Sequence, residues 1–286
     1  MPLQERLLVQ RIREASIKHH PLLIQGIGDD CAVLRIPSRH ESLVTTDFCL
    51  EGIHFHRDWH PPETVGHRCL TRGLSDIAAM GGKPVAAFLS LALPASIPQR
   101  WVDRFFDGFL KLASKFSVIL AGGDIAESRQ GVLADVIVLG SVPRGRAILR
   151  SGAKPGDGIF VTGALGISVA TLSRLNSGHT VKPASAPRHF FPEPRVEVGQ
   201  FLRSRRLPTA MIDTSDGLST DLQHICDESG TGAALYAEAL PRLAGDEGLR
   251  NALHGGEDYE LLFTAPPGRR VPSSAAGVPI TRIGEI

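Results

Sequence analysis

Apolar and polar positions follow two different periods along these 286 residues, and each change of period marks a new element. Apolar runs of strand length occupy Ser42 to Thr46, Ala86 to Leu93, Val118 to Ala121 and Val132 to Leu139. Trp101, Phe105, Phe109 and Leu112 instead recur at helical spacing, which predicts a helix with an aromatic core stripe. Another helix is expected from about Glu63 to Met80, stopped by Gly81, Gly82 and Pro84, with Asp76 in its last turns. The first segment, MPLQERLLVQRIREASIKHH, reads as an amphipathic helix with Leu7, Leu8, Ile12 and Ile17 close to one face. It lacks the uninterrupted apolar core of a secretory signal.

A Gly/Pro-rich and cationic stretch, PRGRAILRSGAKPGDG, separates this half from IFVTGALG, where a new strand, turn and helix begin. A domain boundary is therefore expected near Ser151, giving domains over 1–150 and 151–286. The second half predicts strands at Ala210 to Ile212, Ala233 to Tyr236 and Tyr259 to Thr264. A helix is expected with Leu218, Leu222, Ile225 and Cys226 on one face, and Pro-rich loops from Pro183 to Pro194 and from Pro266 to Pro279.

Composition narrows the classes. With 42% hydrophobic residues the chain can bury one large core or two smaller ones. Its 31 Lys+Arg and 30 Asp+Glu leave a formal charge of +1, and no basic stripe argues for nucleic acid. No stretch approaches a membrane span, so the cytoplasm is the expected location. Cys31, Cys49, Cys69 and Cys226 form no C-x-x-C pair and sit among apolar neighbours, which favours buried free thiols over disulfides.

The chemistry is carried by acids. Asp29, Asp30, Asp47, Asp76, Asp124, Asp213, Asp216 and Asp258 lie in short, mostly Gly-rich segments, many just after an apolar run. Such carboxylates resist ionising together unless divalent cations share the site, so hard oxygen ligands for magnesium are expected. In IDTSDG, Asp213 ends a strand and Ser215 or Asp216 can cap a helix beginning at Gly217. A plain N-cap accounts for one of the two acids but not both. AGGD places Gly122 and Gly123 before Asp124, where a backbone without side chains lets a phosphate come close, although a simple turn has the same residues. HGGEDYELLFT repeats that device, with Gly255 and Gly256 ahead of Glu257. TTDF supplies two hydroxyls and Asp47 after a strand, a set suited to magnesium that a solvated strand end also explains, and for GIGDDC an ordinary turn is the stronger reading.

Other machinery is missing. There is no G-x-x-x-x-G-K-[ST] loop, no protein-kinase H-R-D-x-x-x-x-N or D-F-G motif and no G-x-S-x-G elbow. His54, His56 and His60 in GIHFHRDWH lack the cysteines or helical spacing of a zinc site, leaving His54 as either an exposed strand histidine or an anion contact.

Taken in order, GIGDDCAVL, TTDFCLEGIHF, LSDIAAMGGKP, AGGD, RSGAKPGD, IDTSDGLSTDL and HGGEDYELLFT resemble the thiamine-monophosphate kinase family of the aminoimidazole ribonucleotide synthetase superfamily. The resemblance runs from about Gly26 to Thr264. It implies an α+β, two-domain aminoimidazole ribonucleotide synthetase-like fold, with an N-terminal sheet that pairs across a homodimer and a C-terminal α/β domain that completes the site. It also implies transfer of the γ-phosphoryl group of ATP to thiamine monophosphate, with several Mg2+ ions and no strong general base. Asp30, Thr45, Thr46, Asp47, Asp76, Asp124, Asp213 and Asp216 then correspond to metal ligands. Gly123, Arg150 and Ser215 correspond to ATP contacts, and His54 and Glu257 to substrate contacts. Family members continue past the segment resembling PITRIGEI into a stretch with an aromatic contact to thiamine, whereas this sequence stops at Ile286. Near-normal ATP affinity and weaker thiamine monophosphate binding are the expectation. The alternatives are a non-catalytic, degenerate nucleotide-binding homologue and another ATP-using enzyme of the superfamily. Selenophosphate synthetase would want a reactive Cys near the N-terminus, and the hydrogenase-maturation dehydratase one at the extreme C-terminus.

Overall fold

A computed structural model describes residues 5–16, 20–27 and 31–286. The chain forms two compact units. The first holds Met1–Ile77 and Pro84–Arg144, and the second holds Gly145–Ile286 together with the Ala78–Lys83 turn.

The first unit begins with α1 (Glu5–Ala15) and a two-stranded ribbon, β1 (Leu23–Gln25) and β2 (Val33–Leu34). β3 (His40–Leu50), α2 (Pro62–Ala79), β4 (Lys83–Pro94), α3 (Gln99–Lys115), β5 (Ile119–Ser128) and β6 (Leu133–Pro143) follow. The four long strands form one sheet in the order β3-β6-β4-β5, antiparallel between β3 and β6 and parallel between β4 and β5. α3 buries Trp101, Phe105, Phe109 and Leu112, as its periodicity predicts. Phe105 stacks on Trp101 with ring centroids 5.7 Å apart and on Phe109 at 6.5 Å.

The α1 expectation needs correcting at Leu7. Leu8 and Ile12 are buried, but Leu7 is 50% exposed, because it points off the stripe that the helix turns inward. Ile17 lies outside the described residues. Alternation on β3 is clean where it matters: Leu43 and Cys49 are buried, whereas Val44 and Phe48 on the other face stand 66% and 55% exposed.

The second unit contains β7 (Gly158–Thr162), α4 (Ile167–Asn176), the short α5 (Pro187–Phe190), α6 (Val196–Ser204), β8 (Ala210–Asp213) and α7 (Leu218–Ser229). β9 (Ala234–Leu235), α8 (Gly245–His254), β10 (Leu261–Ala265), β11 (Ser274–Ala275) and β12 (Val278–Glu285) complete it. Its sheet runs β11-β12-β7-β10-β8, with β9 beside β12, and all of the paired strands are antiparallel. Helices and strands are thus mixed in both units in the α+β manner. Leu218, Leu222, Ile225 and Cys226 of α7 enter the second core with Ile159, Val161, Ile212 and Leu262. β10 starts two residues later than the apolar run from Tyr259 suggests, since Tyr259 has a left-handed φ of 53° that no strand accommodates.

All four cysteines are free. Cys49, Cys69 and Cys226 are buried and Cys31 is exposed, which corrects the expectation for that residue. No described helix is long and apolar enough to cross a membrane.

Candidate active site

In the first unit the acid cluster is built where β3 faces α2. Strand alternation turns Thr45 and Asp47 to the same side, and α2 presents Arg72 and, one turn later, Asp76. The Thr45 hydroxyl donates to the Asp76 carboxylate. Arg72 Nε lies 3.5 Å from Asp47 Oδ1. Burial pushes the Asp47 carboxyl up to about 6, Asp76 beside it adds to the rise, and Arg72 opposes it. The two carboxyls are in hydrogen-bond contact, with the Arg72 guanidinium beside them.

Thr46 is placed differently. Its side chain projects from the opposite face of β3 and donates to Asp135 Oδ1 at 2.7 Å, so alternation separates it from Thr45 and Asp47. Asp124 sits on β5, at the other edge of the sheet, three strand spacings or roughly 14 Å from β3 along the sheet. Its Oδ1 accepts the Ile125 N–H at 2.9 Å. The glycines before it lie within β5, not in a turn. A Cβ on Gly123, whose φ is 151°, would fall 1.9 Å from the Leu89 carbonyl oxygen, so close approach to β4 already demands glycine there. Asp29 and Asp30 lie outside the described residues.

His54 is partly buried in the turn after β3, and its Nδ1 accepts the Leu50 N–H at 3.0 Å. In the neutral ring the proton then sits on Nε2. His56 donates its backbone N–H to His60 Nδ1 at 3.2 Å. Among the described residues no three His, Cys, Asp or Glu side chains converge as a ready-made chelate.

In the second unit, IDTSDG and HGGEDYE are laced together by backbone bonds. Thr214 donates to the Glu260 carbonyl, Tyr259 to the Thr214 carbonyl and Glu257 to the Ser215 carbonyl, at 2.8, 2.9 and 2.8 Å. Gly256 lies so close that a Cβ would meet the Ser215 oxygen at 2.5 Å. Glu257 and Tyr259 both have positive φ, 62° and 53°, an unusual backbone that these bonds hold in place. Asp213 is buried at the end of β8, and Asp216 is exposed in the turn that follows.

Two sequence expectations are corrected here. Neither Ser215 nor Asp216 caps α7; its N-cap is Gly217, with no side-chain cap. The cap comes instead from inside the helix, where Asp221 Oδ2 accepts the N–H groups of Gly217 at 3.1 Å and Asp216 at 3.3 Å. Burial, then the nearby Asp216, pushes the Asp221 carboxyl up to about 7, against the pull of its two N–H bonds and of Arg150. Arg150 therefore faces the Asp216–Asp221 turn. Asp258, grouped with the metal acids by its glycines, instead binds the start of α4, accepting from Gly166 N at 2.6 Å and Ser168 N at 3.3 Å.

Sequence reasoning passed over Arg72, Asp135, Asp221 and Glu260. Arg72 and Asp221 carried a faint signal, an ionisable residue at a position that its helix turns inward, whereas Asp135 lies on the outer face of β6 and Glu260 in the loop before β10.

Residues 28–142 match the AIR synthase related protein N-terminal domain and residues 154–283 its C-terminal domain, which defines the class of this two-unit chain. The thiamine-monophosphate kinase of Salmonella typhimurium is 41% identical over 278 residues, covering 91% of this chain and 83% of that one. The crystal structure of thiamine-monophosphate kinase from Stenotrophomonas maltophilia, 34% identical, superposes with a TM-score of 0.88 over 100% of this chain and 94% of that one. A structure of AaThiL complexed with AMPPCP and TMP is 32% identical, with a TM-score of 0.78 over 98% of this chain and 90% of that one. The chain belongs to the thiamine-monophosphate kinase family.

Proposed function

We propose that this protein transfers the γ-phosphoryl group of ATP to the phosphate of thiamine monophosphate, giving thiamine diphosphate, with Mg2+ as the metal. Family membership supports the reaction, and one structural observation supports the metal: the Asp47 and Asp76 carboxyls lie in hydrogen-bond contact, and Asp76 helps to raise the Asp47 pKa. Magnesium is commonly held by one or two carboxylates, with water and substrate phosphate completing its shell. Asp47, Asp76 and Thr45 would hold one ion, and Asp124, on the opposite sheet edge, would serve another. When bound, the metal neutralises phosphate charge and so lowers the repulsion between donor and acceptor.

The protein's own residues then have simple tasks. Because the acceptor is an anionic phosphate, no strong base is required, and positioning supplies most of the acceleration. Ser215 and Arg150 would contact ATP, with Gly123 offering bare backbone, while Asp213 and Asp216 supply further metal oxygens. His54 and Glu257 would contact thiamine monophosphate. Asp30 completes the ligand set that the family resemblance implies, whereas the Thr46 side chain faces Asp135 and is left out of it. The reaction requires ATP, and the cytoplasm is the proposed compartment.

The assembly we propose is a homodimer. β3 is an edge strand, and its outer face carries Val44 and Phe48, with Leu133 of the adjoining β6 also 39% exposed. A second copy would cover that apolar strip. Direct measurement of thiamine diphosphate formed by the purified chain, with and without Mg2+, tests the function. No product at saturating ATP and metal would overturn it, and full turnover in excess chelator would overturn the metal's part.

A further inference from the structure

The second unit holds a cationic pocket that the proposed reaction does not use. A cavity of about 280 Å3 opens between the extended segment from Gly145 to Ser151 and the chain that leaves α6, and three of its lining residues are Arg146, Arg203 and Arg206. Arg203 stands in the last turn of α6 and Arg206 just past its end, and both line the cavity. Arg206 has a φ of 52°, an unusual backbone for a side chain of that size, and its N–H is bonded to the Arg203 carbonyl at 2.9 Å.

No acid offsets this charge. Among the described residues, Arg146 and Arg206 make no side-chain hydrogen bond or ion pair, and Arg203 gives one N–H to the Gly81 carbonyl at 2.6 Å. Asp157 stands behind the lining, but it is buried and already accepts from the Thr209 hydroxyl at 2.7 Å and the Lys154 N–H at 3.0 Å. Burial, then Arg146, lowers the Arg203 pKa, as expected where like charges crowd. Guanidiniums left together without a carboxylate fit an oxyanion, which they bind through paired N–H groups. The cavity volume equals roughly nine waters, about the nine heavy atoms of a diphosphate, and Leu149 at its rim is 51% exposed.

We propose that Arg146, Arg203 and Arg206 form a second anion site for a diphosphate group, separate from the residues assigned to ATP and thiamine monophosphate. The diphosphate can be inorganic or the tail of an organic product, and both products of the proposed reaction, ADP and thiamine diphosphate, carry one. The site is then suited to sensing product, an extension that rests on the proposed function, whereas anion binding does not.

Titration calorimetry of the full chain with inorganic diphosphate at fixed ionic strength tests it, beside the double variant R146Q/R206N. Asn tolerates the left-handed backbone at position 206. We expect the variant to lose one diphosphate equivalent or bind it about a hundredfold more weakly, on the order of tenfold per guanidinium removed. Its KM values for ATP and thiamine monophosphate should stay within about twofold. ADP and thiamine diphosphate arms distinguish the sources: tighter binding than inorganic diphosphate marks an organic ligand. An unchanged isotherm in the variant would overturn the site. So would a parallel rise in the KM for ATP, which would place these arginines in the reaction centre, or preference for a single-stranded oligonucleotide over diphosphate. Should the variant fold poorly, hydrogen exchange on the wild type decides: diphosphate must protect residues 145–151 and 203–209, and absence of protection there refutes the proposal.

Discussion

The hydroxyl of Thr45, on β3, donates a hydrogen bond to the carboxylate of Asp76, 31 positions further along the chain in the penultimate turn of α2. This bond ties a strand to a helix beside Asp47. It fixes the direction of one carboxylate while burial and Arg72 set the charge of the other.

Replacing either acid should therefore be severe. Asp47→Asn and Asp76→Asn are each expected to lower kcat on the order of a thousandfold, a loss of several kcal/mol of transition-state stabilisation, with the fold kept. Asp124→Asn should behave similarly from the opposite edge of the sheet. Thiamine diphosphate formation, read beside circular dichroism, checks this; a variant with wild-type turnover would remove that acid from the site.

Asp221 is expected to act by holding the Asp216–Gly217 turn. Asp221→Ala leaves two N–H groups without their acceptor and should cost about 1–3 kcal/mol in urea unfolding, whereas Asp221→Asn retains an acceptor oxygen and should cost less. A KM for ATP that rises in the Ala variant and returns in the Asn variant separates positioning of the turn from a general loss of stability.

The pH response of stability follows from Asp258. Its folded pKa of about 6 lies above the ordinary 3.8, because burial outweighs the N–H bonds it receives from the start of α4. Between those two values the folded chain holds more protons than the unfolded one, so stability falls as pH rises from 3.8 to about 6. Asp258→Asn should flatten that part of the profile, measured as urea midpoints across the interval. An identical slope in the variant would show that other groups set it.

Glu260 and Arg195 form an enclosed ion pair in the second unit. Arg195 Nε and Nη2 donate to the carboxylate at 2.7 and 2.5 Å, and Thr162 adds its hydroxyl at 2.6 Å. Arg195→Met leaves Glu260, 1% exposed, without its main counterion, and is expected to destabilise by about 3–5 kcal/mol. The double change Arg195→Met with Glu260→Leu should recover part of that loss. Equal stability of the wild type and the single variant would refute the account.

Light scattering tests the dimer. The wild type should be twice the monomer mass at micromolar concentration, and Phe48→Lys, on the exposed side of β3, should shift it toward monomer. A wild type that is monomeric throughout would count against the assembly.

Much of this protein could be read from local pattern. The α3 stripe, the long strands, α2 with Asp76 near its end, β8 ending at Asp213 and the apolar face of α7 all depend on periodicity, which neighbouring residues determine through the geometry of helix and strand. The acidic loops were visible for the same reason: glycines and aspartates after apolar runs are local signals.

Which acids meet was decided by the tertiary structure. Thr45 and Thr46 are neighbours in sequence, yet the pleat sends one to Asp76 and the other to Asp135. Asp258 shares its glycine setting with the other acids, but it is drawn to the start of α4, where N–H groups lacking helical partners need an acceptor. Asp221 looks like an ordinary first-turn helix residue until the turn before it folds back and presents two N–H groups. For Thr45, Thr46 and Asp258 the partner comes from a segment far along the chain, whereas for Asp221 it is the turn just before its own helix. Local sequence sets which groups are available, and only the packed fold sets which partner each one finds.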